Sequence, residues 1–351
     1  MANNDQFKEV ESKLAKSTIK SVSKFEELSA MGNMDLSRRY TNAVFGFNQQ
    51  KINILSEDIR LNSGFAFFVR PLLNMVDKNI RMNRIMYDLL DKNELSINRI
   101  IRCTLDPRLM YNYHKTGIKS ALIDNEQAFI PILTNALKTI SGGQDRVTPV
   151  YVSKEGVRKE QYFLVDGTFE INGAYDINAT FRNSEGNLIG RLMRYWCMWN
   201  SLFFEGMVDN YLDYKLAGEI PYTTRVYRLI MDATLTRVES IIASGYSVPV
   251  NFTDGQLFDM NTEIPFSDSN KEVQYVFKSV GYMVDDPILI TQFNETTAVV
   301  NPEFGKMLDG LETSLVKIPR HLISIYRYRG YPYINPDTRE LEWYIPEDWI
   351  Y

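Results

Sequence analysis

Side chains that could act as nucleophiles, bases or metal ligands are few in this sequence and stand apart from one another. The 351 residues include two histidines, His114 and His321, and two cysteines, Cys103 and Cys197. Neither histidine has a second histidine, a Glu-x-x-His or a Cys-x-x-Cys spacing beside it, so a zinc site has no support. Cys197 falls in an aromatic helical segment, where a small buried apolar side chain is a simpler interpretation than a nucleophile.

Carboxylate pairs are the remaining candidates for cation binding or acid–base chemistry. Asp285-Asp286 precedes a proline, which is more typical of a turn than of a metal site, and Glu26-Glu27 is a second pair. Gly142-Gly143 has no Lys-Ser or Lys-Thr after it, and no Gly-x-Ser-x-Gly elbow occurs. We therefore predict no catalytic residue, no cofactor, no metal and no enzyme activity. Carboxylate pairs that cleave sugars leave little trace in one sequence, which keeps a carbohydrate-acting protein as an alternative.

Residues 161–295 are predicted to form a mainly antiparallel β domain. Tyr175–Phe181 alternates polar with apolar residues, the period of a half-buried strand, and Asn172-Gly173 before it is a strong hairpin-turn signal. Further strands are predicted over residues 161–165, 168–171, 222–231, 239–250 and 272–284. A hairpin leaves sheet edges that neighbouring subunits can pair, so Tyr175 and Phe181 are predicted to lie at a subunit boundary.

One long helix is predicted to cross this β domain. Leu188–Val208 carries apolar residues at spacings of three and four, which gives one broad apolar face. Trp196, Trp199 and Phe203 lie on that face. We expect them to be buried against the sheet, because an aromatic stripe at helical spacing is usually core.

Two segments precede the β domain. Residues 1–60 are predicted to form a helical N-terminal arm of balanced charge, either solvated or packed on a neighbouring subunit. Residues 61–160 are predicted to be a mixed region packed on the core, with a strand over 65–71 and helices over 72–103 and 124–140.

The C-terminal extension, residues 296–351, changes charge along its length. Residues 314–330 are basic without an acidic residue, whereas residues 331–351 are acidic and contain Trp343 and Trp349. The two parts are complementary, so the tail is predicted to dock on such a basic strip in its own subunit or in the next one. The alternative is that the aromatic residues among the arginines stack nucleic-acid bases.

Composition narrows the class of protein. A formal net charge of -5 argues against a protein whose main work is to neutralise nucleic-acid phosphates. No apolar run approaches the roughly 18–20 residues of a membrane span, and the N-terminus has no apolar segment of a signal peptide. Two cysteines fit a protein made in a reducing cytoplasm. An aromatic content of 13% suits strands and interfaces.

Three segments resemble structural proteins of large contractile-tailed bacteriophages: residues 178–196, 221–232 and 280–290. They are similar, more specifically, to the tail-tube-like proteins that cap the baseplate and start the tube. The resemblance covers residues 160–295. It implies an α+β protein with a tail-tube type β-sandwich or barrel and one packed helix, six copies of which form a ring around a lumen.

The resemblance also implies a place and a set of partners. The protein is expected in the virion as part of the phage tail, beside tail tube, sheath or baseplate proteins, with DNA passing non-specifically through the lumen and no membrane contact. The chain is much longer than a plain tube subunit, so a baseplate–tube junction or tube initiator is the expected role. A head–tail neck or tail terminator protein is the first alternative, and a carbohydrate-acting protein of the tail tip is the second.

Overall fold

The computed structural model describes residues 63–112, 117–144, 148–167, 173–184, 186–220, 222–232, 234–252, 255, 262–263, 271–323, 325–326 and 329–349. The predicted arm over residues 1–60, the predicted strand over 168–171 and His114 lie outside the described residues.

Strands of three sheets make up the β structure of the described chain. They are β1 (Gly64–Phe68), β2 (Leu137–Ser141), β3 (Val150–Val152), β4 (Phe163–Val165), β5 (Tyr175–Arg182), β6 (Val226–Met231), β7 (Val238–Pro249), β8 (Glu272–Val284), β9 (Leu315–Lys317), β10 (Tyr331–Ile334) and β11 (Leu341–Pro346). The main sheet has the order β1-β6-β7-β8-β5-β2, a second has the order β10-β11-β9, and β3 pairs with β4.

Helices in the described chain are mostly short. They are α1 (Asp77–Ile80), α2 (Ile97–Leu105), α3 (Leu109–Asn112), α4 (Pro131–Ala136), α5 (Leu188–Phe204), α6 (Leu212–Ala217), α7 (Ile288–Val300) and α8 (Pro302–Leu308). Single 3-10 segments occur at Arg84–Leu90, Arg320–Leu322 and Glu347–Trp349.

The main sheet is built on antiparallel pairs. β5 runs beside the first part of β8, with Tyr175 opposite Ser279 and Arg182 opposite Glu272. β7 pairs with the second part of β8, where Tyr246 lies opposite Val280. The predicted α+β class, a mainly antiparallel sheet with one long packed helix, is confirmed.

Helix α5 supplies the centre of the core. Trp196 and Trp199 are fully buried, and the Trp196 ring meets Phe277 of β8 edge-on with 6.4 Å between centroids. The indole N–H of Trp196 donates to the Tyr222 carbonyl at 3.1 Å, so its polar atom is satisfied inside the core. Phe203 is half-buried and stacks on Trp199 at 5.5 Å.

The helix predicted over residues 124–140 is wrong in extent. Only Pro131–Ala136 is helical, and Leu137–Ser141 forms β2, which pairs with β5. Proline favours the first helical position and disfavours helix in the residue before it, which explains the start. The β-branched residues Thr139 and Ile140 find partners on β5, and such a distant partner leaves no local signal.

The helix predicted over residues 72–103 is broken into α1, a 3-10 segment and α2. Asparagine and aspartate side chains bond to nearby backbone and compete with the helical ladder. Asn83 accepts a hydrogen bond from the Ile85 N–H at 2.9 Å, and Asp91 accepts one from the Asn93 N–H at 2.9 Å. Each of these bonds closes a local turn. In a continuous helix the same N–H group would instead donate to the backbone carbonyl four residues earlier.

The chain divides into two compact units. The larger comprises Phe65–Leu229, Ser240–Ile334 and Glu342–Tyr351. The structure describes residues 63–64, 230–232, 234–239 and 335–341 of the smaller unit. There, the Asp232 carboxylate accepts hydrogen bonds from the backbone N–H groups of Thr236 and Arg237 at 2.6 and 3.1 Å, which closes a tight turn.

Asp106 is a buried carboxylate at the end of α2. It accepts hydrogen bonds from the Met75 N–H and the Tyr211 hydroxyl, both at 2.7 Å, and from the Arg108 N–H at 3.1 Å. Burial raises the pKa of Asp106 to about 6, although these hydrogen bonds act to lower it. The charged carboxylate therefore opposes folding at neutral pH.

Replacing Trp196 with alanine should lower the free energy of unfolding by about 3–5 kcal/mol, because the fully buried indole would leave a cavity and an unpaired carbonyl. Phe204→Ala is the matched control, since this aromatic side chain on the same helix is 91% exposed. Urea denaturation followed by fluorescence measures both. Equal stabilities of the two variants would contradict the packing described.

The stability contribution of Asp106 should be complete below its ordinary pKa of 3.8 and should be lost as pH rises through about 6. The loss is up to about 3 kcal/mol, at about 1.4 kcal/mol for each unit of pKa difference. Urea midpoints of the wild type and of Asp106→Asn, measured from pH 4 to pH 8, test this. The advantage of the wild type over the variant should shrink as pH rises, and a constant difference would refute the assignment.

Candidate assembly surfaces

An exposed apolar hairpin, residues 148–167, contains β3 and β4. Val150, Tyr151 and Val152 lie opposite Val165, Leu164 and Phe163. All six side chains are exposed, from 48% for Val150 to 71% for Phe163. A two-stranded ribbon is marginally stable in water by itself, and apolar side chains on both of its faces gain stability only if another surface covers them.

The hairpin is a defined structure that extends beyond the paired strands. At its base the Asp166 N–H donates to the Pro149 carbonyl at 2.9 Å. Toward its tip the Ser153 N–H donates to the Tyr162 carbonyl at 2.8 Å, and the Ser153 hydroxyl accepts from the Tyr162 N–H at 3.0 Å. These hydrogen bonds extend the pairing beyond the three residues of each strand.

A groove of about 860 Å³ is the second candidate surface. Its lining is mainly apolar and comes from segments far apart in the sequence: Phe67, Ile100, Leu122, Ile130, Leu188, Trp343 and Trp349 among others. Phe67 and Ile130 are buried, whereas Leu122 is 59% exposed and Trp349 is 37% exposed. The exposed members form an apolar surface that solvent reaches.

The charged residue Arg70 lines the groove but directs its donors at backbone. Its guanidinium bonds to the carbonyls of Thr104, Asp124, Asn125 and Gln127 at 2.7–3.3 Å, and also to that of Cys103. Burial lowers the pKa of Arg70 to about 10. These bonds use the cation to shape the groove wall. The other charged residues of the lining are Asp124 and the exposed Arg329.

Both tryptophans predicted from the tail lie at this groove. The half-buried Trp343 ring contacts Phe67 with 6.5 Å between centroids, and Trp349 is more exposed. Trp196 and Trp199 lie in the core, away from solvent. The four tryptophans predicted to mediate packing or assembly therefore occupy two environments. Trp196 and Trp199 are internal, whereas Trp343 and Trp349 lie at the groove.

The free edge expected at β5 is not present, because β8 and β2 flank this strand on its two sides. Phe181 is fully buried and packs on Phe68 at 5.9 Å. Tyr175 is 8% exposed and meets Tyr282 edge-on at 5.4 Å. Burial raises the pKa of Tyr175 to about 12, and its hydroxyl has no hydrogen-bond partner among the described residues.

The acidic tail meets the basic strip within one chain. β11 pairs with β9 antiparallel, with Tyr344 opposite Lys317. The Lys317 ammonium lies 2.7 Å from the Glu342 carboxylate, which is 7% exposed and also accepts from the Tyr344 hydroxyl at 2.9 Å. Docking in the chain's own subunit, one of the two predicted arrangements, is present at this point.

The acidic residues at the Asp-Asp-Pro turn accept hydrogen bonds from backbone N–H groups and from one serine hydroxyl. Asp285 accepts hydrogen bonds from the Ser240 hydroxyl and the Ile241 N–H at 3.0 and 2.9 Å, and Asp286 accepts from the Ile288 N–H at 3.1 Å. Across the part of the chain that the structure describes, no group of three or more His, Cys, Asp or Glu side chains could hold a metal ion.

The cysteines and the remaining histidine show no arrangement for nucleophilic chemistry. Burial raises the pKa of Cys197 to about 12 and also raises that of Cys103, which keeps both thiols protonated. His321 is exposed in a 3-10 segment. Among the described helices, none has the length and apolar character needed to cross a membrane.

Sequence reasoning missed strand β3 and the groove. The alternating β-branched and aromatic residues of Val150–Val152 were a usable signal, because they mirror the predicted strand at 161–165. The groove had no such signal, since it joins β1, α4 and the C-terminal tail.

A family model matches nearly the whole chain. The family is described as "Putative phage tail tube protein", and the match covers residues 10–349. A search of curated proteins finds no match to the sequence.

Two solved structures are similar to part of the chain. The anti-feeding prophage cap, a tube-terminating cap, is 12% identical with a TM-score of 0.27, and the match covers 45% of this chain and 82% of that chain. The sheath/tube terminator of the PVC extracellular contractile injection system, in its extended state, is 8% identical with a TM-score of 0.25, covering 45% and 87%. TM-scores this low do not establish a shared fold.

Lys317→Gln should lower the free energy of unfolding by about 1–3 kcal/mol, because it removes a charged partner from the buried Glu342 carboxylate. Lys306→Gln is the matched control, since its 2.6 Å pair with Glu303 is more exposed and should matter less. Urea titrations of both variants, and of Lys317→Gln with Glu342→Gln, measure the difference. Equal losses of unfolding free energy from the two lysine variants would show that the Lys317–Glu342 pair contributes no more to stability than the more exposed Lys306–Glu303 pair.

Proposed function

The chain belongs to the family described as "Putative phage tail tube protein", whose members are structural proteins of the tail, and from this premise we propose that copies of it assemble into a ring around the DNA channel. The ring contains six copies and stands at the baseplate–tube junction, where it starts the tube. Its neighbours are tube, sheath or baseplate proteins, and it is made in the host cytoplasm before entering the virion.

The exposed hairpin is the observation that carries an assembly role. A free-standing enzyme or binding module has no use for eight large apolar side chains on one thin ribbon, since each costs free energy in water. Besides the six paired residues these are Tyr162, 64% exposed, and the fully exposed Val157. In a ring, neighbouring subunits would cover these side chains, which explains why they are exposed in the single chain.

The outer face of the main sheet suits a channel that DNA passes through without being held. On this face Lys278 pairs with Asp176 at 2.8 Å, and Lys138 pairs with Glu272. Lysines that are paired with carboxylates bind phosphates weakly, because binding would have to displace the partner. We therefore place the face formed by β2, β5 and β8 toward the lumen.

The junction position draws support from elements outside the main sheet. Residues 65–136 add several helices to the sheet, and β9, β10 and β11 form a second sheet. In the proposed ring we assign these elements to contacts with the baseplate on one side and with the tube on the other. The family match over residues 10–349 includes these elements, so they belong to the sequence pattern of the family.

The proposed ring can be tested on purified protein and on particles. Native mass spectrometry of the full chain should show a cyclic oligomer of six copies, and a cryo-EM map of the tail should place it at the baseplate end of the tube. Phe163→Ser with Leu164→Ser should abolish the ring and leave thermal stability almost unchanged, because both side chains are exposed.

A matched control separates the hairpin from a general loss of surface apolarity. Val299→Ser with Leu311→Ser changes residues that are 72% and 61% exposed, close to the 71% and 61% of Phe163 and Leu164. The control variant should still form the ring. A map that places the chain outside the tail, or particles that lack it, would refute the proposed function.

A further inference from the structure

We propose that helix α6 of one copy of this chain docks on the basic turn of the next copy, and that this contact repeats around the ring. The basic turn consists of residues 319–323, 325–326 and 329. The proposal rests on the proposed function, because it assumes that subunits assemble with one another. It assigns α6 as the donor surface and the basic turn as the acceptor surface.

Helix α6 has its apolar side chains on the solvent side. Leu212 and Leu216, one turn apart on the helix, are 70% and 80% exposed, and no residue of α6 is buried. Asp213 and Tyr214 instead contact the body of the chain through Arg108. A surface helix normally packs its apolar face on the core, so this reversed orientation leaves an apolar face for another surface to cover.

Arg108 holds the helix in this orientation. Its guanidinium lies 2.6 Å from the Asp213 carboxylate and donates to the Tyr214 hydroxyl at 3.1 Å. The same guanidinium lies over the rings of Tyr211 and Tyr214, 5.4 and 4.7 Å from their centroids. The Tyr211 hydroxyl donates in turn to the buried Asp106 carboxylate. Polar and cation–π contacts therefore attach α6 to the body, and its leucines take no part in the attachment.

The charge around α6 is acidic. Residues 205–220 contain four acidic residues and one lysine. Two of the acidic residues are paired at 2.6 Å, Asp209 with Lys215 and Asp213 with the arginine described above. Glu219 is exposed directly after the helix and is in no ion pair with a described residue. An apolar surface with a basic rim therefore complements this face.

The basic turn has this character. Ile325 is 68% exposed. Arg320 and Arg329, before and after it in the chain, are exposed and in no ion pair with a described residue. Backbone hydrogen bonds shape the segment, because the Ile323 N–H donates to the Arg320 carbonyl at 3.3 Å and the Ile325 N–H donates to the Leu322 carbonyl at 2.9 Å.

Acidic residues near the basic turn leave its arginines without a partner. Glu342 is already paired with the lysine of β9 at 2.7 Å. Asp124 and Arg329 both line the groove without forming an ion pair with each other. The exposed carboxylates of Glu347 and Asp348 in the tail are likewise in no ion pair with a described residue. The positive charge of the turn therefore remains available to an acidic partner.

The two surfaces lie on opposite sides of helix α2. Arg102 and Asp106, four residues apart, both bond to the backbone of Met75, and Asp106 also anchors the α6 segment. Ile100 and Thr104, also four residues apart, are rotated by about half a turn from that pair and line the groove that the basic turn borders. Contacts between two different surfaces of identical chains are heterologous, and they generate a ring when the rotation between neighbours closes.

A second basic segment, residues 81–87, is a poorer acceptor. Arg81 and Arg84 are exposed there, together with three large apolar side chains. The segment directly follows α1, whose Asn79 donates to the Asp209 carbonyl at 2.8 Å, three residues before α6. It therefore adjoins the donor surface in the same chain. A heterologous contact needs an acceptor apart from the donor, which favours the basic turn.

Charge reversal with rescue tests the contact. Glu219→Arg and Arg320→Glu should each raise the concentration at which rings form about tenfold, because each places like charges across the contact. A chain with both changes should recover most of this loss. All three variants should keep the wild-type melting temperature, since both side chains are exposed. Glu295→Arg, at an exposed glutamate on α7, is the control and should leave ring formation unchanged.

Cross-linking between differently labelled chains locates the contact. One population carries Leu216→Cys and the other, isotope-labelled, carries Ile325→Cys, both at exposed positions. Rings assembled from the mixture are treated with a short bismaleimide, and mass spectrometry should find the 216–325 peptide pair with one partner labelled. Val299→Cys in place of Ile325→Cys is the control, because Val299 is 72% exposed on α7, and it should give at least tenfold less product.

The outcomes separate this proposal from the proposed function. Rings that form without the 216–325 product, or charge reversals whose losses add without rescue, would overturn the α6 contact and leave the proposed function standing. Absence of the chain from tails would overturn the proposed function itself.

Discussion

Two buried arginines hold together the part of the protein that lacks long helices and strands. Arg70 is 5% exposed and Arg102 is 1% exposed, and both direct their guanidinium groups at backbone carbonyls. Arg102 also pairs with Asp77 at 2.6 Å. A buried cation must have its donors satisfied, so each arginine fixes the segments that supply its acceptors. Arg70 shapes the wall of the groove because it gathers the carbonyls of Asp124, Asn125 and Gln127.

Aromatic side chains serve two opposite purposes in this fold. Those on α5 face inward, where Trp196 and Trp199 make contacts that define a single packing arrangement. Those on the hairpin and at the groove, such as Phe163 and Trp349, are exposed at the surface. The aromatic content therefore serves the core of the chain and, in the function that we propose, also the contacts between copies.

The sequence predicts the elements whose signal is local. β5, β8 and α5 follow from periodicities of two and 3.6, and each forms close to its predicted bounds. β2 is different, because its strand character depends on β5, some forty residues later in the chain. The groove is harder still. Trp343 and Trp349 stand out by composition, but their neighbours Phe67 and Leu122 come from remote segments, and only tertiary structure brings them together.

The hairpin also has a consequence for copies of the chain that are not yet assembled. Two uncharged, β-prone strands with unpaired edges are a template for uncontrolled pairing between chains, so a pool of free subunits is prone to aggregate. The hairpin limits this hazard by its ends, where Lys154, Lys159 and Asp166 flank the apolar strands as gatekeepers. If copies assemble as we propose, subunits that are incorporated as fast as they are made spend little time in this exposed state, so synthesis of the chain would have to keep pace with tail construction.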